Sequence, residues 1–346
     1  MQDTARRAFV ATAVAGAVVV GAIALWELRV LIALLFLAFT IAAAMRPGIE
    51  WLHVRRVPRA AGIGLHYIAL FVFIGLFLWA VVPRALDQVQ QALGEAQQST
   101  GVKHDLLLGL ENRLKELPSV KGTKFIDPAV TITVRAFEVL VGVFFTLASA
   151  AYWIYERERA ERLVVSFLPV RKRQVVRDTW NLIDLKLGAY VRGQLVLVLF
   201  VATLLSVTFV IIGLPFWLLV GSFAGVVELI PVIGPLTAGA LAIGVGLTES
   251  WHIALAAGIA VLAVRLLEDY LVVPRVLGHA VGLTPLVVLV SVSAVGLLFG
   301  GFAVLLAIPM AAVVATLIDV IMRDVDPAEE NVPAVLFPAK DAESGG

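Results

Sequence analysis

An all-α integral membrane protein is the fold class this sequence predicts, and three observations predict it. Of 346 residues, 60% are hydrophobic and only 15% charged, whereas a soluble domain carries about 25% charged residues. Mean hydropathy is +0.96. The apolar residues also gather into uncharged runs, and about 20 such residues cross roughly 30 Å of hydrocarbon. A soluble fold needs a charged exterior, and lipid is the solvent that tolerates an apolar one.

The same composition excludes several function classes. A net charge of +1 offers no basic excess for nucleic acid. With no cysteine, thiol catalysis, disulfides and cysteine metal sites are out. The five histidines form no HExxH pair, and there is no phosphate-binding GxxxxGK[ST] loop and no G-x-S-x-G elbow. Neither an enzyme nor a cofactor is expected, so transport would be passive or driven by an ion gradient. The opening Arg6-Arg7 before an apolar run resembles a secretory signal, but a second apolar run follows at once. The simpler reading is a retained anchor.

The first four spans are Ala8–Trp26, Val30–Met45, Ala60–Val82 and one centred on Val139–Tyr155. The loop after span two holds Arg46, Arg55, Arg56 and Arg59 against Glu50 alone. The stretch after span four holds Arg157, Arg159, Arg162, Arg171, Lys172, Arg173 and Arg177 against Glu156, Glu158 and Glu161. Cationic loops stay cytoplasmic, so the amino terminus is expected inside. Pro83–Pro128, with six basic and six acidic residues, is then outside. There Leu86, Val89 and Leu93 share one helical face, and Leu106, Leu110, Leu114 and Leu117 another, interrupted at Gly94, Gly101 and Gly109. This extracytoplasmic helical insertion reads as a cap on the membrane domain, with an oligomer contact as the alternative. On the inner side, Val176, Trp180, Ile183, Leu187 and Val191 form a stripe expected to lie at headgroup level before the chain turns inward.

The carboxy-terminal half departs from this regularity. From Gly193 to Ile318, 126 residues, only Glu228, Glu249, Arg265, Glu268, Asp269 and Arg275 are charged. Helix breakers divide the long runs: Gly213 with Pro215, then Pro231, Gly234 and Pro235, then Gly300, Gly301 and Pro309. The halves around Pro231, at roughly 15 residues or about 22 Å each, cannot each cross a bilayer. They form either one broken helix or a re-entrant hairpin. The chain thus divides into a three-span region (1–82), the outer helical region (83–128), a fourth span (129–156), an inner amphipathic connector (157–189), a core of discontinuous helices (190–322) and a polar tail expected to be disordered (323–346).

The chemistry gathers at two places. Proline removes a backbone donor and clashes with the preceding turn, so carbonyls before Pro231 are expected to lose their helical partners. Such groups are tolerated in a membrane only when buried in protein or lining a wet cavity. Glu228 adds an acid to the negative end of the first half-helix, which suits a cation or proton. Pro235 suits the first turn of the second half, whose free N–H groups face an oxygen-rich ligand. Paired breaks of this kind point to a transporter site; a packed proline kink with a hydrogen-bonded Glu228 is the plain alternative. The second place is Arg265, Glu268 and Asp269, whose spacings of three and four share one helical face. That face should meet protein or water, or else staple a helix end. Arg192 and Gln194 could line the same path, although Arg192 is also placed to snorkel. Asp319 closes the final helix.

These residues carry a family resemblance. Tyr190-Val191-Arg192-Gly193-Gln194, Gly213-Leu214-Pro215, Glu228 through Gly234, Leu267-Glu268-Asp269 through Pro274, and Pro285 through Gly300-Gly301 to Pro309 resemble the autoinducer-2 exporter family of bacterial membrane proteins. One departure is Thr284, where relatives often carry histidine. The resemblance implies about eight membrane segments, a bacterial inner-membrane location with both termini cytoplasmic, and a homo-oligomer. It implies export of a small polar solute or exchange of Na+ or another monovalent cation for H+. A secondary transporter of a small polar solute is the leading expectation, with antiport as the alternative and a non-transporting membrane scaffold as the further one. Expected partners are the solute, Na+ or H+, membrane lipid and further copies of the chain.

Overall fold

The computed structural model describes residues 2–98, 126–231, 233–276, 282–330, 332–333 and 335–336. Their regular structure is all helical: α1 (Gln2–Glu27), α2 (Arg29–Val54), α3 (Arg59–Gln98), α4 (Ile126–Ser166), α5 (Val170–Ile211), α6 (Trp217–Val227), α7 (Ile233–Leu247) and α8 (Trp251–Leu267). A π-helical turn (Glu268–Val272) leads into α9 (Val273–Val276), followed by α10 (Pro285–Phe299), a 3-10 turn (Gly301–Leu306) and α11 (Ala307–Met322). Among the described residues, five stretches are long and apolar enough to cross a membrane: Arg29–Val54, Arg59–Gln88, Phe137–Ser166, Val170–Ile211 and Gly301–Met322. Thr12–Glu27, α6, α7 and α10 are apolar but shorter. Large apolar side chains such as Phe71, Phe73, Trp79, Phe144 and Leu297 lie exposed. A surface that apolar meets lipid at no cost and water at a large one.

Several boundaries differ from the sequence reading. Pro83 does not end the third helix: α3 runs through it and through Gly94 to Gln98 as one helix. Gly101, Gly109 and the Leu106–Leu117 face lie outside the described residues. The amphipathic stripe from Val176 to Val191 also does not end in a turn; it lies within α5, unbroken from Val170 to Ile211. Its glycines serve contact instead. A Cβ on Gly188 would lie 2.4 Å from the carbonyl oxygen of Ala43, so glycine there lets α5 meet α2.

The direction of the later helices follows from a few pairings. Gly213, at φ 73, turns the chain out of α5. Gly221 then lies against Ser206 and Gly225 against Ala202, so α6 runs back along α5. Val276, at the end of α9, packs beside Ala189 near the middle of α5, and Arg265 of α8 reaches Glu228, whose carbonyl is held by Gln194 further along α5. Helices α8 and α9 therefore also travel toward the start of α5, and α7 must climb away from it. Helices α6 and α7 make a hairpin whose tip holds residues 228–231. Small residues hold it: Ala224, Ala238, Ala242, Ala257 and Ala260 are buried together with Val201, Leu205 and Phe209 of α5. Close approach of this kind is how helices associate where lipid removes the hydrophobic drive.

Candidate functional site

The hairpin tip brings together two constellations that lie 37 residues apart in sequence. Arg265 Nη1 donates to Glu228 Oε1 at 2.9 Å and to Glu268 Oε2 at 3.3 Å. Its Nη2 lies 2.9 Å from Asp269 Oδ1. Glu228 and Glu268 are 7% and 3% exposed, Arg265 is 35% exposed, and Asp269 is 44% exposed. One guanidinium thus serves three carboxylates, two of them buried. The spacing of Arg265, Glu268 and Asp269 explains their shared face, and the π-helical turn from Glu268 to Val272 widens the helix where the acids sit. Such single-turn π segments are frequent at functional sites.

Of the carbonyls before Pro231, those of Val226, Val227, Glu228 and Ile230 have partners, which corrects the expectation for them. Leu229 N–H donates to Val226 O at 3.3 Å, Ile230 N–H to Val227 O at 2.9 Å, and Gly234 N–H to Ile230 O at 2.8 Å. The Glu228 carbonyl is taken by Gln194, whose Nε2 donates at 2.9 Å. Gln194 therefore touches the backbone of the site. Pro231 lies in the turn, Gly234 is the second residue of α7 and Pro235 the third. Gly234 cannot carry a side chain here, since its Cβ would fall 2.0 Å from Val227 O.

The remaining residues are placed elsewhere. Arg192 does not snorkel; it is buried, donating from Nε to Val335 O at 2.8 Å and from Nη1 to Ala44 O at 3.0 Å. Thr284 is no part of the Glu228 cluster: it is the N-cap of α10, accepting from Val287 N–H, with Pro285 at the first helical position. Pro215 stands in the turn between α5 and α6. Gly300, at φ 90, and Gly301 break the last run. Pro309 does not interrupt it, being the third residue of α11 and buried, where proline is tolerated. Asp319 pairs with Arg323 at the end of α11.

A second buried cluster escaped the sequence reading. Asp184 of α5 accepts from Arg157 of α4 at 2.5 Å and from Arg46 of α2 at 3.2 Å. Arg157 also donates to Asn181 and Glu161, Arg46 pairs with Glu50, and Arg177 approaches Glu161. A cavity of about 50 Å3 borders it, lined in part by Arg46, Arg59, Arg157 and Asp184. The signal available was Asp184 inside an apolar stripe, but Arg157 and Arg46 had been read as loop charges.

Long apolar helices, apolar exposed surfaces and an ionic site at a helix break define the class: a polytopic membrane protein that carries a polar centre at a break in its apolar helices. A family model described as "AI-2E family transporter" matches residues 16–323, and the chain belongs to that family of membrane transporters. It is 26% identical over 294 residues to the Bacillus subtilis (strain 168) protein named "Putative transport protein YrrI", covering 81% of this chain and 83% of that one. MT0215 of Mycobacterium tuberculosis (strain CDC 1551 / Oshkosh), with the same description, is 25% identical over 305 residues, covering 83% of each. YueF of Bacillus subtilis, again so described, is 32% identical over 163 residues, covering 47% of this chain and 44% of that one.

Proposed function

We propose that the chain is a secondary transporter that exports a small polar solute, autoinducer-2-like in the sense its family name carries, across a bacterial inner membrane. The observation that carries the reading is the pair of buried carboxylates, Glu228 and Glu268, sharing one arginine at the tip of a hairpin set in apolar helices. Ionisable groups are expensive inside a membrane and persist there chiefly where a path or relay needs them. Arg265 offers donors to solute oxygens, the carboxylates accept hydroxyl protons, and the turn at Pro231–Pro235 supplies a segment able to rearrange around them. In this reading the arginine-rich end bearing Arg46 and Arg157 is cytoplasmic, both termini lie there, and the working unit is a homo-oligomer.

One feature favours a second reading, exchange of Na+ or another monovalent cation for H+. Three acids face one cation, an excess that suits a site loading either ion. Purified protein in proteoliposomes separates the readings. Uptake of autoinducer-2, used as the probe, is expected to accelerate under an imposed proton or sodium gradient and to vanish in Glu228→Gln. Proton release driven by sodium with no solute moving would move the assignment to antiport. Unchanged flux in Glu228→Gln would overturn the site.

A further inference from the structure

The charges that bound three of the apolar runs meet at one place. Arg46 directly follows the uncharged run Val30–Met45, Arg59 directly precedes Ala60–Val82, and Glu156, Arg157 and Glu158 follow the run that ends at Tyr155. In the fold these boundaries surround the cavity of about 50 Å3 beside Asp184. Its lining holds the guanidinium groups of Arg46, Arg59 and Arg157 and the carboxyl groups of Glu50, Glu158 and Asp184. An apolar run ends where hydrocarbon gives way to headgroups, so the cavity lies at headgroup depth. Tyr152 and Tyr155, 73% and 69% exposed, stand within about one and a half helical turns of Arg157, as aromatic side chains do at the membrane–water boundary.

The lining runs from an exposed pair to a buried acid. Arg59 Nη1 donates to Glu158 Oε1 at 3.0 Å, and both side chains are more than half exposed. Asp184 is buried, and both Arg157 and Arg46 reach its Oδ2. Its Oδ1 has no hydrogen-bond partner. A buried carboxylate oxygen without a donor is costly, and the other groups of Arg157 are turned away to Glu161 and Asn181. The site therefore lacks one donor at its inner end. Three guanidinium groups balance three carboxyl groups, so the cavity favours neither a bare anion nor a bare cation and matches a ligand that carries both charges. It has room for about three or four water-sized groups, enough for a primary ammonium on a short arm and too little for a trimethylated one. Trp153 also lines it, and an indole ring favours a neighbouring cation.

We propose that this cavity is a binding site for a zwitterionic lipid of the phosphatidylethanolamine class, with the phosphate on Arg59 at the mouth and the ammonium directed inward to Asp184 Oδ1. Basic pockets between membrane helices are general sites for lipid headgroups. The carboxyl groups add the choice of headgroup, since a glycerol headgroup has no ammonium and a choline headgroup has no N–H to donate. The acyl chains then run along the exposed apolar faces of α3 and α4, where Ile68, Phe71, Leu140 and Phe144 lie. The site is independent of Glu228 and of the transport reading built on it.

Native mass spectrometry of the purified full chain, mixed in detergent with equimolar dioleoyl lipids that differ only in headgroup, counts which lipid it keeps. Phosphatidylethanolamine is expected to be kept roughly tenfold over phosphatidylcholine and phosphatidylglycerol, the worth of one charge-assisted hydrogen bond. Retention should fall stepwise through the N-methyl and N,N-dimethyl headgroups. Arg59→Gln breaks only an exposed pair and should fold as the parent does; it is expected to lose the lipid. Glu158→Gln breaks the same pair and is expected to keep the preference, because Asp184 reads the ammonium. Phosphatidylcholine kept as well as phosphatidylethanolamine, or phosphatidylglycerol kept best, overturns the proposal. So does retention unchanged in Arg59→Gln, or preference lost in Glu158→Gln. Displacement by an equal concentration of soluble glycerophosphoethanolamine would make this a small-molecule site and overturn the lipid assignment.

Discussion

Two buried ion clusters stand among the described residues, and they differ in charge balance. At the Asp184 cluster, Arg46, Arg157 and Arg177 face Glu50, Glu161 and Asp184, three against three. At the hairpin tip, Arg265 alone faces Glu228, Glu268 and Asp269. The first joins three continuous helices, α2, α4 and α5, and each member has an opposite charge close by. The second joins a helix break to a π-helical turn and keeps more acid than its cation can neutralise. A balanced network fixes elements in register and costs most when one partner is removed. An unbalanced one is poorly suited to fastening, because its surplus charge calls for something further: a proton, an ion or a solute donor.

The comparison breaks most sharply under substitution. Glu228→Gln is expected to bring solute flux down to the level of empty liposomes while the protein still assembles, as read by size-exclusion chromatography in detergent. Asp184→Asn leaves Arg46 and Arg157 short of a charge and should cost about 3 kcal/mol of stability, seen as a lower Tm, with flux per folded molecule within about twofold of normal. Gly234→Ala forces a methyl against Val227 O and should cost about 1–3 kcal/mol through strain at the tip, with flux falling alongside. Gln194→Leu strands the Glu228 carbonyl, a cost of about 1–3 kcal/mol, and slows flux without removing it. Asp269→Asn removes the one exposed acid of the cluster; exposed pairs contribute about 0–1 kcal/mol, so flux should change by less than about twofold.

Much of the candidate site could be read in the sequence because charge is rare there. Six charged residues in 126 stand out, and the spacing of Arg265, Glu268 and Asp269 fixes a shared face. That Glu228 joins them could not be read, since nothing local links residues 37 apart; a hairpin fold-back does. The helix breaks at Gly213, Pro231–Pro235 and Gly300 were legible from residue chemistry alone. Pro83 misled because a proline inside a long helix and one that opens a loop look alike without neighbours. The continuity of α5 was hidden for a related reason: an amphipathic half and an apolar half share one period, and the change of surroundings reads as a boundary. The lie of the tail was hidden because Glu330 sits in a polar stretch and its partner, Lys186 of α5, is 144 residues away in sequence.

The most direct test of the account puts the two clusters side by side. Flux of autoinducer-2 into proteoliposomes, normalised to folded protein, is measured for Glu228→Gln and Asp184→Asn under the same imposed proton gradient. The account predicts that Glu228→Gln is inactive and as stable as the parent, while Asp184→Asn is less stable and nearly as active. Equal losses of flux in both, or flux retained in Glu228→Gln, would contradict it.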